Sequence, residues 1–303
     1  MSRLLIPSLL AAAALLGAGP ARAIIFISTG DPNFNTTAPT GQYANSGWQF
    51  QGTWGNYLGT PIAPKFFLTS KHLEGVIVGS IFTYLGQSYT TVRKIEDPTS
   101  DLAIWEVSTP FPNYATVYYG KTEVGKEAVF VGRGVGREDE PKLAGKGWRW
   151  SANTKQRWGT NTISSIADLG SGMGETLRST FDLGGGSTEA TIGDRDSGGG
   201  LFIKDTDGMW KLAGINFDVT GPYKYSLSDG DNFNAALYDQ SGLYVSLLTG
   251  GFGPASGPGA FYSTRLSSHQ AFIHSITGLP EPSSAALLAA GGLFLANIRA
   301  RRR

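Results

Sequence analysis

Between Ile24 and Gly259 no stretch of useful length carries apolar residues at helical spacing, whereas short β-type runs recur between glycine-containing turns. Lys65-Phe66-Phe67-Leu68-Thr69 is one such run. Ile81-Phe82-Thr83-Tyr84 and Ser88-Tyr89-Thr90-Thr91-Val92 flank Leu85-Gly86-Gln87 and read as a hairpin. Further runs cover 102–107, 128–131, 201–203 and 212–217. The composition agrees: 42 Gly with 7 Trp, 12 Tyr and 16 Phe suits many short strands and tight turns better than helices. The chain is therefore read as all-β. Strands at this spacing without crossover helices predict antiparallel barrels or sandwiches. One short helix is signalled near the end of the body. Ser267 with Gln270 makes a capping box, Leu266, Ile273 and Ile276 form an apolar face, and Gly278 before Pro280 supplies the stop. The Gly-, Ser-, Asp- and Asn-rich segment 223–259 predicts a long surface loop.

The two ends carry different signals. Met1-Ser2-Arg3, an apolar stretch and Ala21-Arg22-Ala23 have the order of a secretory signal peptide (1–23), so cleavage after Ala23 would leave Ile24 first. The tail (279–303) runs Pro280-Glu281-Pro282, then apolar residues from Ala285 to Ala296, then Arg299, Arg301, Arg302 and Arg303. Its apolar part is shorter than the ~20 residues that span a bilayer, and the arginines stop it as a cytoplasmic flank would. This tail resembles the PEP-CTERM sorting signal of Gram-negative bacteria. That resemblance implies a transient membrane tail cut by an exosortase-type enzyme, after a signal peptidase has removed the leader. Export across the inner membrane to the envelope, cell surface or extracellular matrix is expected.

At 303 residues there is room for one large or two medium domains. With 41% hydrophobic and 16% charged residues the chain is not a disordered polyampholyte. The 25 Lys+Arg against 24 Asp+Glu provide no global cationic surface for nucleic acid, and removing both ends leaves the body at a net charge of −4. No cysteine is present, which removes disulfides, thiolate metal sites and cysteine nucleophiles together. His269 and His274, five apart on a helix, point about 140° apart and cannot share a metal. No metal site is expected. Gly132-Arg133-Gly134-Val135-Gly136-Arg137 lacks the spacing and the ending of a phosphate loop.

Three stretches can carry chemistry. In Gly193-Asp194-Arg195-Asp196-Ser197-Gly198-Gly199-Gly200 a serine sits between an aspartate and glycines directly before a strand. Such a turn can display a hydroxyl with backbone N–H groups aimed at it, as an oxyanion site requires, and the same composition also makes an ordinary surface turn. In 66–73 an apolar strand delivers His72 into a loop, and in 97–107 Asp101 begins a strand apolar on both faces. A carboxylate there enters the interior and needs a partner such as an imidazole N–H. Taken singly, each is equally compatible with a structural role.

In the order His72, Asp101, Ser197 these stretches resemble the chymotrypsin-like (trypsin-like) serine proteases. Phe67-Leu68-Thr69-Ser70-Lys71-His72 is similar to the family's histidine segment, Asp101-Leu102-Ala103-Ile104 to its aspartate segment, and Asp196-Ser197-Gly198-Gly199 to its serine core. Ala213-Gly214-Ile215 and Tyr262-Ser263-Thr264-Arg265-Leu266 fall where two non-catalytic family segments lie. The resemblance implies two six-stranded antiparallel β-barrels, 24–135 and 136–265, followed by a helix over 266–278. It implies Ser197 as nucleophile, His72 as base, Asp101 as its orienter, the N–H groups of Arg195 and Ser197 as oxyanion donors, and Thr191 at the specificity-pocket base. Asp196 would form a structural ion pair, with the new amine of Ile24 or with Arg195 or Arg133. No cofactor is implied, and the substrate is a protein or peptide. Four departures are visible: Ser70-Lys71 beside His72, Arg195 at a glycine position, Gly200 at a proline position, and Phe26-Ile27 in place of two glycines. Lys71 is expected to disfavour the protonated base. The expected function is a secreted serine endopeptidase; the alternative is a catalytically inactive protease-like envelope binding or matrix protein.

Overall fold

The hairpin read at Leu85-Gly86-Gln87 closes with two residues, Leu85 and Gly86, both at positive φ (49° and 75°), the primed turn whose twist matches paired strands. It belongs to a computed structural model that describes residues 24–138, 143–151, 155–170 and 172–278. The expected export signal (1–23) and sorting tail (279–303) lie outside the described residues.

Six strands, β1 (Gly52–Trp54), β2 (Tyr57–Ala63), β3 (Phe66–Ser70), β4 (Ile81–Tyr84), β5 (Gln87–Glu96) and β6 (Leu102–Val107), close an antiparallel barrel in the order β1-β2-β3-β6-β5-β4. Its interior is aromatic. Phe67 stacks on Phe82 at 4.0 Å and Trp54 meets Trp105 at 4.3 Å. These rings leave room for no side chain opposite them. A Cβ on Gly52 would lie 2.1 Å from the Phe82 ring, and one on Gly59 2.7 Å from Phe67.

A second closed barrel is made by β7 (Glu127–Gly132), β8 (Arg157–Asp168), β9 (Glu175–Thr180), β10 (Gly200–Lys204), β11 (Trp210–Val219) and β12 (Ala260–Arg265), in the order β8-β9-β12-β11-β10-β7. The all-β fold of two six-stranded antiparallel barrels with a short C-terminal helix is thus observed. The division at 135 needs correcting, because β7 ends at Gly132 and yet is a second-barrel strand. The first barrel's strands end at Val107, and its last strand and β7 are joined by the segment 108–126. Ile25–Phe26 also pairs with Ala190–Thr191, and Phe26 packs into the second barrel's core with Phe130 and Phe261.

The barrels meet through shared apolar clusters, a smaller one setting Leu58 of the first against Val129, Val131 and Trp158 of the second. Ile62, Leu68, Leu102 and Ile104 of the first pack with Phe202, Leu212 and Ile215 of the second and with Leu266 and Ile273 of the C-terminal segment. At about 1.5–3 kcal/mol per buried aliphatic or phenylalanine side chain, this seam sets the cleft between the barrels.

Two local expectations change. The segment 223–259 is not a bare loop. Tyr223–Lys224, Tyr244–Ser246 and Phe252–Pro254 form a small sheet, and Ala235–Leu237 pairs with Gly147–Ser151. Tyr223, Leu237 and Leu243 bury against Leu143 and give it a core of its own. At the chain's end a 3₁₀ turn, Leu266–His269, precedes α1 (Gln270–Thr277), and no capping box forms because the Ser267 hydroxyl donates instead to Glu123 Oε1 at 2.6 Å. The stop is as expected, with Gly278 at φ 64° donating its N–H to the His274 carbonyl. Among the described residues no helix is long and apolar enough to cross a membrane.

Candidate active site

Register places the first two candidates together. Strands β3 and β6 pair Ser70 with Leu102, so the residues that follow Ser70 face the one that precedes Leu102. The Lys71 N–H donates to the Asp101 carbonyl at 2.9 Å, and the His72 N–H donates to Asp101 Oδ1 at 3.0 Å. The His72 ring then donates through Nδ1 to Asp101 Oδ2 at 2.6 Å, a charge-assisted bond. Asp101 is buried (4% exposed) and the imidazole is half-exposed. Burial of the ring works against its protonation, but the hydrogen bond and charge of Asp101, helped by Asp218 and Glu74, outweigh it and raise the His72 pKa above its ordinary 6.5.

The expectation for Lys71 is overturned by its direction. Its ammonium donates to the carbonyls of Asp97 (3.0 Å) and Ser100, away from the imidazole, and so pins the loop that delivers Asp101. Sequence reasoning saw the cation and missed its target.

Ser197 is delivered from the second barrel, against the end of β3. The Asn216 carbonyl accepts from the Gly198 N–H at 3.0 Å and from the Ser70 hydroxyl at 2.8 Å, linking the residue after Ser197 to the strand that ends two residues before His72. Gly198 is at φ 86°, and a Cβ there would lie 2.3 Å from Thr69 Oγ1, so only glycine allows this approach. The Ser197 hydroxyl donates to the Phe217 carbonyl at 3.3 Å, not to His72. The Phe217 ring in turn meets the His72 ring edge-on at 5.9 Å. Serine and histidine therefore flank one residue without being hydrogen-bonded to each other.

Arg195 adopts φ 68°, a left-handed conformation that costs a non-glycine residue about 1–2 kcal/mol. Among the described residues neither its backbone N–H nor that of Ser197 has an acceptor. Two free donors on the turn that carries Ser197 are what an oxyanion would use. The Arg195 side chain lies by Asp194 at 3.7 Å and Arg133 donates to the Gly55 carbonyl at 2.8 Å, so neither neutralises Asp196, contrary to one expectation.

Asp196 is buried (1% exposed) and accepts three backbone N–H groups: Gly134 at 2.6 Å, Gly193 at 2.9 Å and Ile24 at 3.4 Å. Burial pushes its pKa up to about 7 despite these bonds. Thr191 is buried on the two-residue strand paired with Ile25, six residues before Ser197. Sequence reasoning missed Asn216. Its amide donates to the Val131 and Asp196 carbonyls (2.9 and 3.3 Å) and accepts the Ser263 hydroxyl at 3.2 Å, which fixes the nucleophile turn to β7 and β12.

His269 and His274 serve structure. His269 Nδ1 lies 3.0 Å from Asp97 Oδ2 and His274 packs edge-on against Tyr119. Among the described residues no group of three or more His, Cys, Asp or Glu could hold a metal.

No family model and no curated protein sequence matches the chain. Solved structures do match in shape. A structure of kallikrein-related peptidase 10 in complex with Zn2+ shares 15% identity at a TM-score of 0.46, over 78% of this chain and 98% of that one. A second structure of kallikrein-related peptidase 10 gives 15% and 0.43 over the same shares. The passenger domain of plasmid-encoded toxin, an autotransporter enterotoxin of enteroaggregative Escherichia coli, gives 14% and 0.44 over 73% of this chain and 22% of that one. At these values the likeness assigns no residue and no activity.

Proposed function

We propose that the chain is an exported serine endopeptidase in which Ser197, His72 and Asp101 act as a unit. The observation that carries this reading is the Asn216 carbonyl, shared by Ser70 and Gly198, which draws Ser197 to the face where the His72–Asp101 pair is already formed. Rotation of the Ser197 hydroxyl away from the Phe217 carbonyl turns it to the imidazole, and catalytic hydrogen bonds commonly tighten only when substrate is bound. Ser197 Oγ then attacks the peptide carbonyl as its proton passes to His72 Nε2, and the oxyanion takes the N–H groups of Arg195 and Ser197. Collapse breaks the C–N bond, the amine leaves with the proton from His72, and water repeats the sequence to release the acid. Asp101 holds the tautomer and stabilises the imidazolium. Thr191 is assigned to the pocket base, and the resemblance of the two ends to export and sorting signals supports a location in the envelope or outside it.

One observation favours the alternative, a catalytically inactive protease-like envelope binding or matrix protein: the Ser197 hydroxyl is engaged by Phe217 and not by His72. Labelling with a fluorophosphonate separates the two, because only an activated serine reacts. Covalent labelling that disappears in Ser197→Ala supports the endopeptidase, and absence of label in the folded, processed protein sinks it.

A further inference from the structure

Strand β11 is irregular beside the candidate site. Asn216 pairs with Ser263 and Asp218 with Tyr262, so Phe217 is an extra residue in β11, and a bulge of this kind re-aims the side chains around it. Phe217 thereby presents its carbonyl to Ser197 and its ring to His72, while Asp218 lines a cavity of about 200 Å³ with Leu169, Val219, Leu247 and Tyr262. Drug-sized ligands take about 300–1,000 Å³, so this cavity holds one side chain and little more.

Its chemistry is mixed. The walls combine Leu169, Leu247, Leu248 and Tyr262 with the hydroxyl residues Thr220 and Ser246, and the one ionisable carboxylate is Asp218. Asp218 Oδ1 accepts the Val219 N–H at 2.8 Å, whereas its Oδ2 accepts no hydrogen bond and forms no ion pair among the described residues, with His72 the basic group that acts on it from outside the cavity lining. A single carboxylate is too few ligands to hold a metal ion, and an apolar occupant would cover the free oxygen without a partner. A lysine or arginine side chain satisfies both requirements, with its stem along the apolar walls and its head on the carboxylate. Asp101 also lies close enough to act on Asp218 and adds negative charge on that side.

We propose that this cavity is a subsite for a basic side chain of the peptide being cut, one that neighbours the scissile bond, and that Asp218 is its specificity-determining residue. The proposal rests on the endopeptidase reading. Neutral and acidic residues at that position are disfavoured.

The test uses the full-length chain, exported and processed, against matched peptides carrying Lys, Arg, Gln, Glu or norleucine at each position flanking the cleaved bond. At one position Lys or Arg raises kcat/KM roughly 10- to 100-fold over Gln, as a charge-assisted contact is worth. This ratio shrinks with added salt, falls towards one in Asp218→Asn, and turns in favour of Glu in Asp218→Lys. An undiminished ratio in Asp218→Asn, or no position that prefers a basic residue, overturns the subsite. Calorimetric binding of the same peptides to Ser197→Ala separates this failure from the other. Lys-over-Gln binding without turnover or fluorophosphonate labelling of the wild type keeps the subsite and removes the endopeptidase. Turnover and labelling without that preference do the reverse.

Discussion

The backbone nitrogen of Ile24 lies 3.4 Å from Asp196 Oδ2, with both residues buried, directly after the Ala21-Arg22-Ala23 site. Ile24 is held there at φ 51°, a left-handed conformation in which a β-branched residue is strained. Cleavage before Ile24 removes the carbonyl that creates that strain and replaces a neutral N–H by an ammonium. Asp196, on which Arg157 already acts, then gains an ammonium at its Oδ2, and the turn bearing Arg195 and Ser197 is fixed by an ion pair.

The chain that starts at Ile24 is therefore expected to turn over substrate, and one carrying an extra residue before it to be impaired by roughly two to three orders of magnitude, as loss of a buried partner worth about 3–5 kcal/mol implies. The pH dependence differs as well. In the uncleaved chain the Asp196 pKa of about 7 exceeds its unfolded value of 3.8, so the folded state binds more protons between these pH values and stability falls as pH rises through that window. In the cleaved chain the ammonium holds the carboxylate and that loss vanishes. Equal turnover and equal pH profiles for the two forms exclude the switch.

What the sequence reveals and what it conceals divide along contact range. Strands at 66–70, 81–84 and 102–107 are legible because each is a continuous β-prone run bounded by turn residues, and the strand ends that carry His72 and Asp101 come with them. The sheet within 223–259 is concealed because its apolar runs, such as Ala235-Ala236-Leu237-Tyr238 and Leu243-Tyr244-Val245, are short and broken by Gly, Ser, Asp and Asn, and Tyr223, Leu237 and Leu243 become a core only against Leu143. Ser267 reads as a cap by its local spacing and is claimed by Glu123, 144 residues away. The direction of Lys71 and the bulge that re-aims Asp218 depend equally on partners that no local window contains.

On the endopeptidase reading, the raised pKa of His72 sets the acid side of the pH–rate profile. The base must be neutral to take the Ser197 proton, so kcat/KM falls as pH drops through a value above the ordinary 6.5. Asp101→Asn removes the carboxylate's hydrogen bond and charge, so burial, the largest influence and one that lowers the pKa, is opposed only by Asp218 and Glu74. The acid limb then moves to lower pH while kcat drops by ~10⁴, the cost of the wrong tautomer in such a triad. Full pH–rate profiles of the two proteins decide the matter, and an acid limb unmoved by Asp101→Asn removes His72 from the role of base.

The C-terminal helix is anchored by charge. Glu123, with no exposed surface, accepts Arg265 Nε and Nη2 at 2.9 Å each and the Ser267 hydroxyl, and Arg265 Nη1 reaches Glu175 at 2.8 Å. Burial pushes the Glu123 pKa up, and the bonds from Arg265 and Ser267 override it, holding it below 4.5. A lowered folded value means that this contribution is complete above the unfolded pKa and is lost as pH falls through the folded one. Glu123→Gln strips the arginine of its buried partner and is expected to cost about 3–5 kcal/mol at neutral pH. Because the substitution removes the titrating group, it must also flatten the decline in stability between about pH 5 and pH 3. Urea unfolding across that range measures both effects. A variant that loses stability at pH 7 but keeps the full acid slope shows that Glu123 acts by packing alone, whereas loss of both leaves the ion pair as what docks Leu266 and Ile273 onto the seam between the barrels.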